Sequence, residues 1–144
     1  MIILVTSDIH GDIDSLEILR KTEHFDIHID AGDSNLSLPE LKNRQIISVK
    51  GNTDFFTNLP LIRILENEVG KIMVVHGHHH GVKSGLNILY LAGLEQRANL
   101  VVYGHTHIQR YEVIDGLNYL NPGSLKFSKQ YAIIDNNEVI LKEL

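Results

Sequence analysis

Five short apolar runs, each closing on a polar turn, constrain this chain more than any other feature. "IILVT" (2–6) runs into Asp8-Ile9-His10, and "FDIHIDA" (25–31) into Gly32-Asp33. "QIISVK" (45–50) runs into Gly51-Asn52-Thr53-Asp54, "KIMVV" (71–75) into His76-Gly77-His78, and "LVVY" (100–103) into Gly104-His105-Thr106-His107. Dense β-branched runs of this length are expected in strands covered on both faces, and that requires layers on either side of a sheet. In open α/β sheets ligands bind outside the carboxyl ends of the strands. If the five strands are parallel neighbours, all five polar endings meet on one edge.

The stretches between these runs supply the covering layers. Residues 12–23 place Ile13, Leu16 and Leu19 at helical spacing behind Asp12, a good N-cap residue. A short helix is expected from Leu38-Pro39-Glu40, with Pro39 in its first turn. Residues 61–66 and 71–77 read as two strands joined by a turn at Asn67–Gly70. Residues 84–98 form a second clear helix, with Leu86, Leu89, Tyr90 and Leu94 expected on its inner face. From Gln109 to Leu144 the chain reads as successive strands, with "NPGS" (121–124) and "NNE" (136–138) as turns. The expectation is an α/β protein whose sheets pack on each other with helices outside, and at 144 residues a single domain over 1–144.

With no cysteine in the chain, disulfides, thiolate sites and iron–sulfur clusters are excluded, and any metal must be held by His, Asp, Glu or Asn. The pairs Asp8/His10 and His105/His107 are each spaced by two, which in extended backbone turns both side chains to one side. Carboxylate, imidazole and amide donors suit divalent Mn, Fe, Ni, Co or Zn without choosing among them. One carboxylate such as Asp33 could bridge two ions, and two ions stabilise the attacking and leaving oxygens of a displacement at phosphorus. D-x-H, G-D and G-N each arise often by chance, whereas "HGH" and "GHTH" are stronger signals, because histidine is uncommon and buried histidines need partners. All five in order, each at a strand end, point to one metal site. His24 and His28 read as exposed or structural.

A net charge of −5 argues against gripping nucleic acid through a basic face, leaving small nucleotides open as substrates. The amino terminus has no basic region ahead of its short apolar run, and no stretch approaches a membrane span, so a cytoplasmic location without membrane association is expected.

These motifs resemble those of the calcineurin-like metallophosphoesterase superfamily: D-x-H as "DIH" (8–10), G-D (32–33), G-N-x-[DE] as "GNTD" (51–54), "HGH" (76–78) and G-H-x-H as "GHTH" (104–107). The short length and "NPGS" resemble its compact YfcE-like phosphodiesterase branch. The resemblance implies two mixed β-sheets packed face to face with helices on both outer surfaces, a four-layer α/β/β/α sandwich. It implies that Asp8, His10 and His107 hold one divalent ion, that Asn52, His76 and His105 hold a second, and that Asp33 bridges them. Manganese is the first expectation in vitro, with nickel, cobalt, iron or zinc as alternatives. A hydroxide between the metals would attack a phosphate ester in line, with Asp33, Asn52 and His76 acting through it and Asp54 orienting a neighbouring ligand. His78 is a candidate to face the substrate. His79 and His80 have no motif behind them and read as loop.

One departure stands out. Larger phosphoprotein phosphatases of the superfamily carry histidine after the Asn, where it can protonate the leaving group; this chain has Thr53, a poor general acid at neutral pH. That favours small-molecule phosphodiesters over phosphoserine. Two other readings compete: a non-catalytic scaffold of the same fold, as in a eukaryotic retromer subunit, and a metal-storage tract built on "HGHHH". Keeping all the ligand positions argues against both. Lys50 and Lys83 lie near motif loops and could meet a phosphate, Ser124 reads as part of a proline turn, and a homodimer or higher homo-oligomer stays open.

Overall fold

The computed structural model describes residues 1–144. Two five-stranded sheets form its centre. The first has the order β10 (Glu138–Glu143), β9 (Gln130–Asp135), β1 (Ile2–Thr6), β2 (Ile27–Asp30) and β3 (Ile46–Ser48). The second runs β4 (Ile62–Asn67), β5 (Gly70–Val75), β6 (Leu100–Val102), β8 (Leu117–Asn121) and β7 (Arg110–Ile114). Both are mixed. β1, β2 and β3 are parallel, with β9 antiparallel to β1; β5, β6 and β8 are parallel, with β4 and β7 antiparallel at the edges. The five polar endings therefore do not share one sheet edge. Three follow the parallel strands of the first sheet and two follow β5 and β6 of the second.

Alternation along the strands builds the core between the sheets. Ile3, Val5, Ile29 and Ala31 of one sheet face Ile72, Val74, Leu100, Val102 and Leu120 of the other. The intervening residues point outward and are covered in turn. Leu4, Ile46 and Ile133 meet Leu16 and Leu19 of α1 (Ile13–Thr22), Leu41 of α2 (Leu38–Asn43) and Leu125 of α4 (Leu125–Ser128). Met73, Val101 and Tyr119 of the second sheet meet Leu89 of α3 (Asn87–Glu95). The layers are helix, sheet, sheet, helix. Each fully buried Leu, Ile or Val contributes roughly 1.5–3 kcal/mol by leaving water.

Local chemistry fixes the helix starts. The Asp12 side chain accepts from Ser15 N–H at α1, and Ser37 with Glu40 forms a capping box at α2, with Pro39 in the first turn. Two expectations are corrected. At α3, Leu89 is buried and Leu86 and Tyr90 pack half-buried against the same core as expected, but Leu94 is 47% exposed and Gly93 takes the inward place. A Cβ at residue 93 would lie 2.9 Å from Leu117 Cδ2 and 3.0 Å from Val101 Cγ2, so glycine lets this helix sit against the sheet. The carboxyl-terminal third is not strands alone: "NPGS" leads into α4, whose N-cap Ser124 accepts from Phe127 N–H. No helix is long and apolar enough to cross a membrane.

Candidate metal centre

The loops after β1, β2, β3, β5 and β6 converge at one end of the sandwich. Asp8 Oδ1 lies 3.1 Å from His107 Nε2, 3.6 Å from His10 Nε2 and 3.9 Å from His76 Nε2. Asp33 Oδ2 lies 3.1 Å from His76 Nε2 and 3.9 Å from His10 Nε2. Two groups could each hold a metal ion, Asp8 with His10 and His107, and Asp33 with His76 and His105, their donor atoms all within 4.8 Å of one another in each group. Asp8, Asp33 and His76 are buried, and His10, His105 and His107 are partly open to solvent.

The pairs spaced by two do not reach this arrangement through extended backbone. Asp8 and His10 have φ of 52° and 44°, and His105 and His107 have φ of 73° and 62°. All four lie in the left-handed region, which costs a non-glycine residue on the order of 1–3 kcal/mol and clusters at functional sites. Asp33 and Asn35, both at φ 55°, repeat the pattern. The repeated spacing is the signal by which Asn35, missed in the sequence, could have been found.

Hydrogen bonds aim the donors. Ser7 Oγ donates to Asp8 Oδ2 at 2.6 Å and His105 N–H donates to the same oxygen at 3.1 Å, leaving Oδ1 to the imidazoles. Asp54 is buried and accepts the backbone N–H groups of Asp33 (2.9 Å), Gly51 (2.8 Å) and Asn35 (3.1 Å), so it ties the β2 loop to the β3 loop. Thr53 N–H donates to Asp33 Oδ1 at 2.9 Å. Asn52 is exposed in the turn beside Thr53. The adjoining Gly51 runs so close to Asp33 that a Cβ would fall 2.5 Å from its backbone nitrogen.

His78, His79 and His80 form one turn of 3-10 helix between Gly77 and Gly81, both in the left-handed region. The His78 ring lies 5.5 Å from that of His76 and 6.2 Å from that of His105. His79 is exposed. His28 is buried away from the cluster, bonded to Arg20 and Thr6. Lys126 and Phe127 stand at the rim, also unforeseen, with the Phe127 ring 5.2 Å from His107 and 5.4 Å from His10.

The donor set fits divalent cations. His76 Nδ1 is 2.8 Å from the Ala31 carbonyl, which can only accept, so Nδ1 carries the proton and the Nε2 lone pair faces Asp33 and Asp8. His76 Nε2 and His10 Nε2 are buried without a hydrogen-bond partner. Lone pairs aimed at buried carboxylates call for a positive charge between them. The charges agree. Burial pushes Asp33 up, but the adjacent His76 and the Thr53 N–H outweigh it and hold the carboxyl well below its usual range. Burial pushes His76 down, and the Asp33 and Asp8 carboxylates more than reverse this. Burial, then the His76 charge, lowers His105, and burial with His79 and its neighbours takes His78 to about 4. Neutral imidazole is the metal-binding form.

Comparison with known proteins places this geometry. A family model described as the calcineurin-like phosphoesterase superfamily domain matches residues 1–138. A probable metallophosphoesterase of Bacillus subtilis is 34% identical over 141 residues, covering 93% of this chain and 83% of its own length. A phosphodiesterase of Methanocaldococcus jannaschii is 28% identical over 113 residues, 78% of this chain and 63% of its own. The crystal structure of a Streptococcus pneumoniae protein described as a predicted phosphoesterase superposes with a TM-score of 0.82 at 30% identity, covering 92% of this chain and 80% of that one.

Proposed function

The chain belongs to the calcineurin-like phosphoesterase superfamily, and from that premise we propose that it is a dinuclear-metal-dependent phosphodiesterase acting on small phosphate esters. The observation that carries the proposal is the aim of His76 Nε2 and His10 Nε2, both without hydrogen-bond partners, at the buried carboxylates of Asp8 and Asp33. Asp8, His10 and His107 would hold one ion, Asn52, His76 and His105 the other, and Asp33 would lie between them. When bound, two divalent ions supply Lewis acidity to the phosphoryl oxygens and a nucleophile from water at neutral pH.

The chain's own residues orient the reaction. Ser7 and the His105 N–H fix the Asp8 carboxylate. Asp54 and Thr53 fix Asp33. The Thr53 hydroxyl accepts from Asn35 Nδ2 at 3.0 Å, and threonine provides no general acid beside the site. That supports esters whose leaving group needs little protonation, aryl diesters ahead of alkyl monoesters. His78, whose ring lies 5.5 Å from that of His76, would face a bound substrate.

The test is hydrolysis of bis-p-nitrophenyl phosphate by EDTA-stripped protein with and without Mn²⁺, beside Asp33→Ala and an alkyl phosphomonoester. Metal-dependent turnover that the substitution abolishes is expected. Folded protein holding two metals per chain but inert with Mn²⁺, Ni²⁺ and Co²⁺ would overturn the proposal in favour of a scaffold. A preference for the alkyl monoester would overturn the diester assignment.

A further inference from the structure

Helix α4 hangs from the loop that carries Asp8. Ser124 Oγ donates to the Asp8 carbonyl at 2.9 Å, Leu125 N–H to the Ser7 carbonyl at 3.1 Å, and Lys126 N–H to the Asp8 carbonyl at 3.4 Å. Ser124 and Leu125 are fully buried. The next two residues emerge beside the candidate metal centre. Phe127 is 63% exposed although its ring stacks on His107 at 24° and touches His10. Lys126 Nζ lies 5.7 Å from the centre of that ring and 3.5 Å from the His10 carbonyl.

A phenyl ring left mostly in water forgoes the burial that stabilises a fold. Supporting His107 takes only part of its surface. The rest, with an ammonium beside it, is suited to an anion that carries a flat apolar group. We infer that Phe127 is a specificity-determining residue, stacking an aromatic arm, aryl or nucleobase, of a phosphodiester held at the metal centre. The inference rests on the function proposed above and deepens it by naming the substrate class.

The experiment uses full-length metal-loaded protein and two diesters with the same leaving group, phenyl p-nitrophenyl phosphate and methyl p-nitrophenyl phosphate. Stacking on an aromatic side chain favours a flat arm over a methyl group, so the phenyl-to-methyl ratio of kcat/KM should fall about tenfold in Phe127→Leu and return in Phe127→Tyr. Binding of phenylphosphonate against methylphosphonate, measured by calorimetry, should show the same loss and recovery without turnover. Metal content is measured in every variant. An unchanged ratio overturns the inference and leaves the phosphodiesterase reading standing. A drop in bound metal in Phe127→Leu makes the ring a support for the cage and also overturns it. Absence of both turnover and phosphonate binding in the unsubstituted protein would overturn the function itself, and this inference with it.

Discussion

His10 Nδ1 lies 3.2 Å from Asn35 Oδ1, and that contact sets which nitrogen of His10 faces the metal centre. The amide cannot be reversed without loss, because its Nδ2 already donates to Thr53 O, Thr53 Oγ1 and Asp54 Oδ1. The amide oxygen must therefore face His10, and it can only accept. Nδ1 holds the proton, and the Nε2 lone pair faces Asp8 and Asp33. Partners of this kind are typically worth 10–100-fold in metal affinity. Asn35→Leu should weaken one of two Mn²⁺ sites by about that factor while the other changes little, as read by calorimetric titration of stripped protein. Equal affinities in the two proteins would show that Asn35 does not position His10.

Much of this site was legible because its chemistry sits at strand ends, where alternation and turn residues mark the sequence plainly. Asp8, His10, Asp33, His76, His105 and His107, drawn from four of the five endings, come together in two groups, although the endings belong to two sheets rather than one edge. The division into two sheets was not legible in the endings themselves, since a buried parallel strand looks alike in either sheet. In α3 apolar residues surround the helix, so periodicity could not choose a face; Gly93 chose it by permitting close approach. The four residues of α4 are too few to show a period, and only the Ser124 cap announces them. Ser7 acts through a hydrogen bond to its neighbour's carboxylate and leaves no trace in the sequence, while Asn35, which bonds to His10, leaves only its spacing of two behind Asp33.

A second prediction concerns the buried chain beneath the site. Arg20 donates to His28 Nδ1 at 2.7 Å, so His28 Nε2–H donates to Thr6 Oγ1 at 2.8 Å, and Thr6 donates to Asp30 Oδ1 at 2.9 Å. Burial lifts Asp30 from 3.8 to about 7, so the native state holds a proton there that the unfolded chain has lost. The stability this lends is complete below pH 3.8 and is lost as pH rises through 7. Burial, with the Arg20 charge, lowers His28 from 6.5 to about 3, so its contribution is complete above 6.5 and is lost as pH falls toward 3. Between these limits the two slopes oppose. Asp30→Asn removes one of them, and its unfolding free energy should rise with pH, relative to the unsubstituted protein, by about 1.4 kcal/mol per unit from pH 4.5 to 6. Urea denaturation of metal-free protein at several pH values measures the difference. Parallel profiles would mean that Asp30 is ionised throughout.

Gly104 makes a third case. A Cβ there would fall 2.8 Å from Asp8 Oδ2 and 3.0 Å from Ser7 Cβ. Neither neighbour can yield, since Asp8 Oδ2 already accepts from Ser7 and from His105 N–H. Gly104→Ala should destabilise the fold by roughly 1–3 kcal/mol, the usual cost of overpacking. It should also lower metal affinity, because Asp8 must turn. Gly116, where a Cβ meets nothing within 4 Å, is the control. Its φ of 80° strains an alanine, but Gly116→Ala should leave metal binding alone. Equal metal affinity in the two variants would count against the close approach at Gly104.

The last prediction follows from burying two carboxylates at one strand-end cluster. Asp8 is fully enclosed and Asp33 is 2% exposed, and without a cation the cationic groups nearest their carboxylates are imidazoles. A metal that binds only the native state should stabilise it by RT ln(1 + [L]/Kd), about 2.7 kcal/mol for each site at a hundredfold excess over Kd. Stripping with EDTA should therefore lower Tm, and added Mn²⁺ should restore it in proportion to the logarithm of its concentration. In Asp33→Ala the increment should fall by at least half, because Asp33 belongs to one donor group and its Oδ2 also approaches His10 of the other. Thermal melts across a Mn²⁺ series read both effects. A Tm that does not respond to Mn²⁺ in the unsubstituted protein would show that these carboxylates are held by protons rather than by metal.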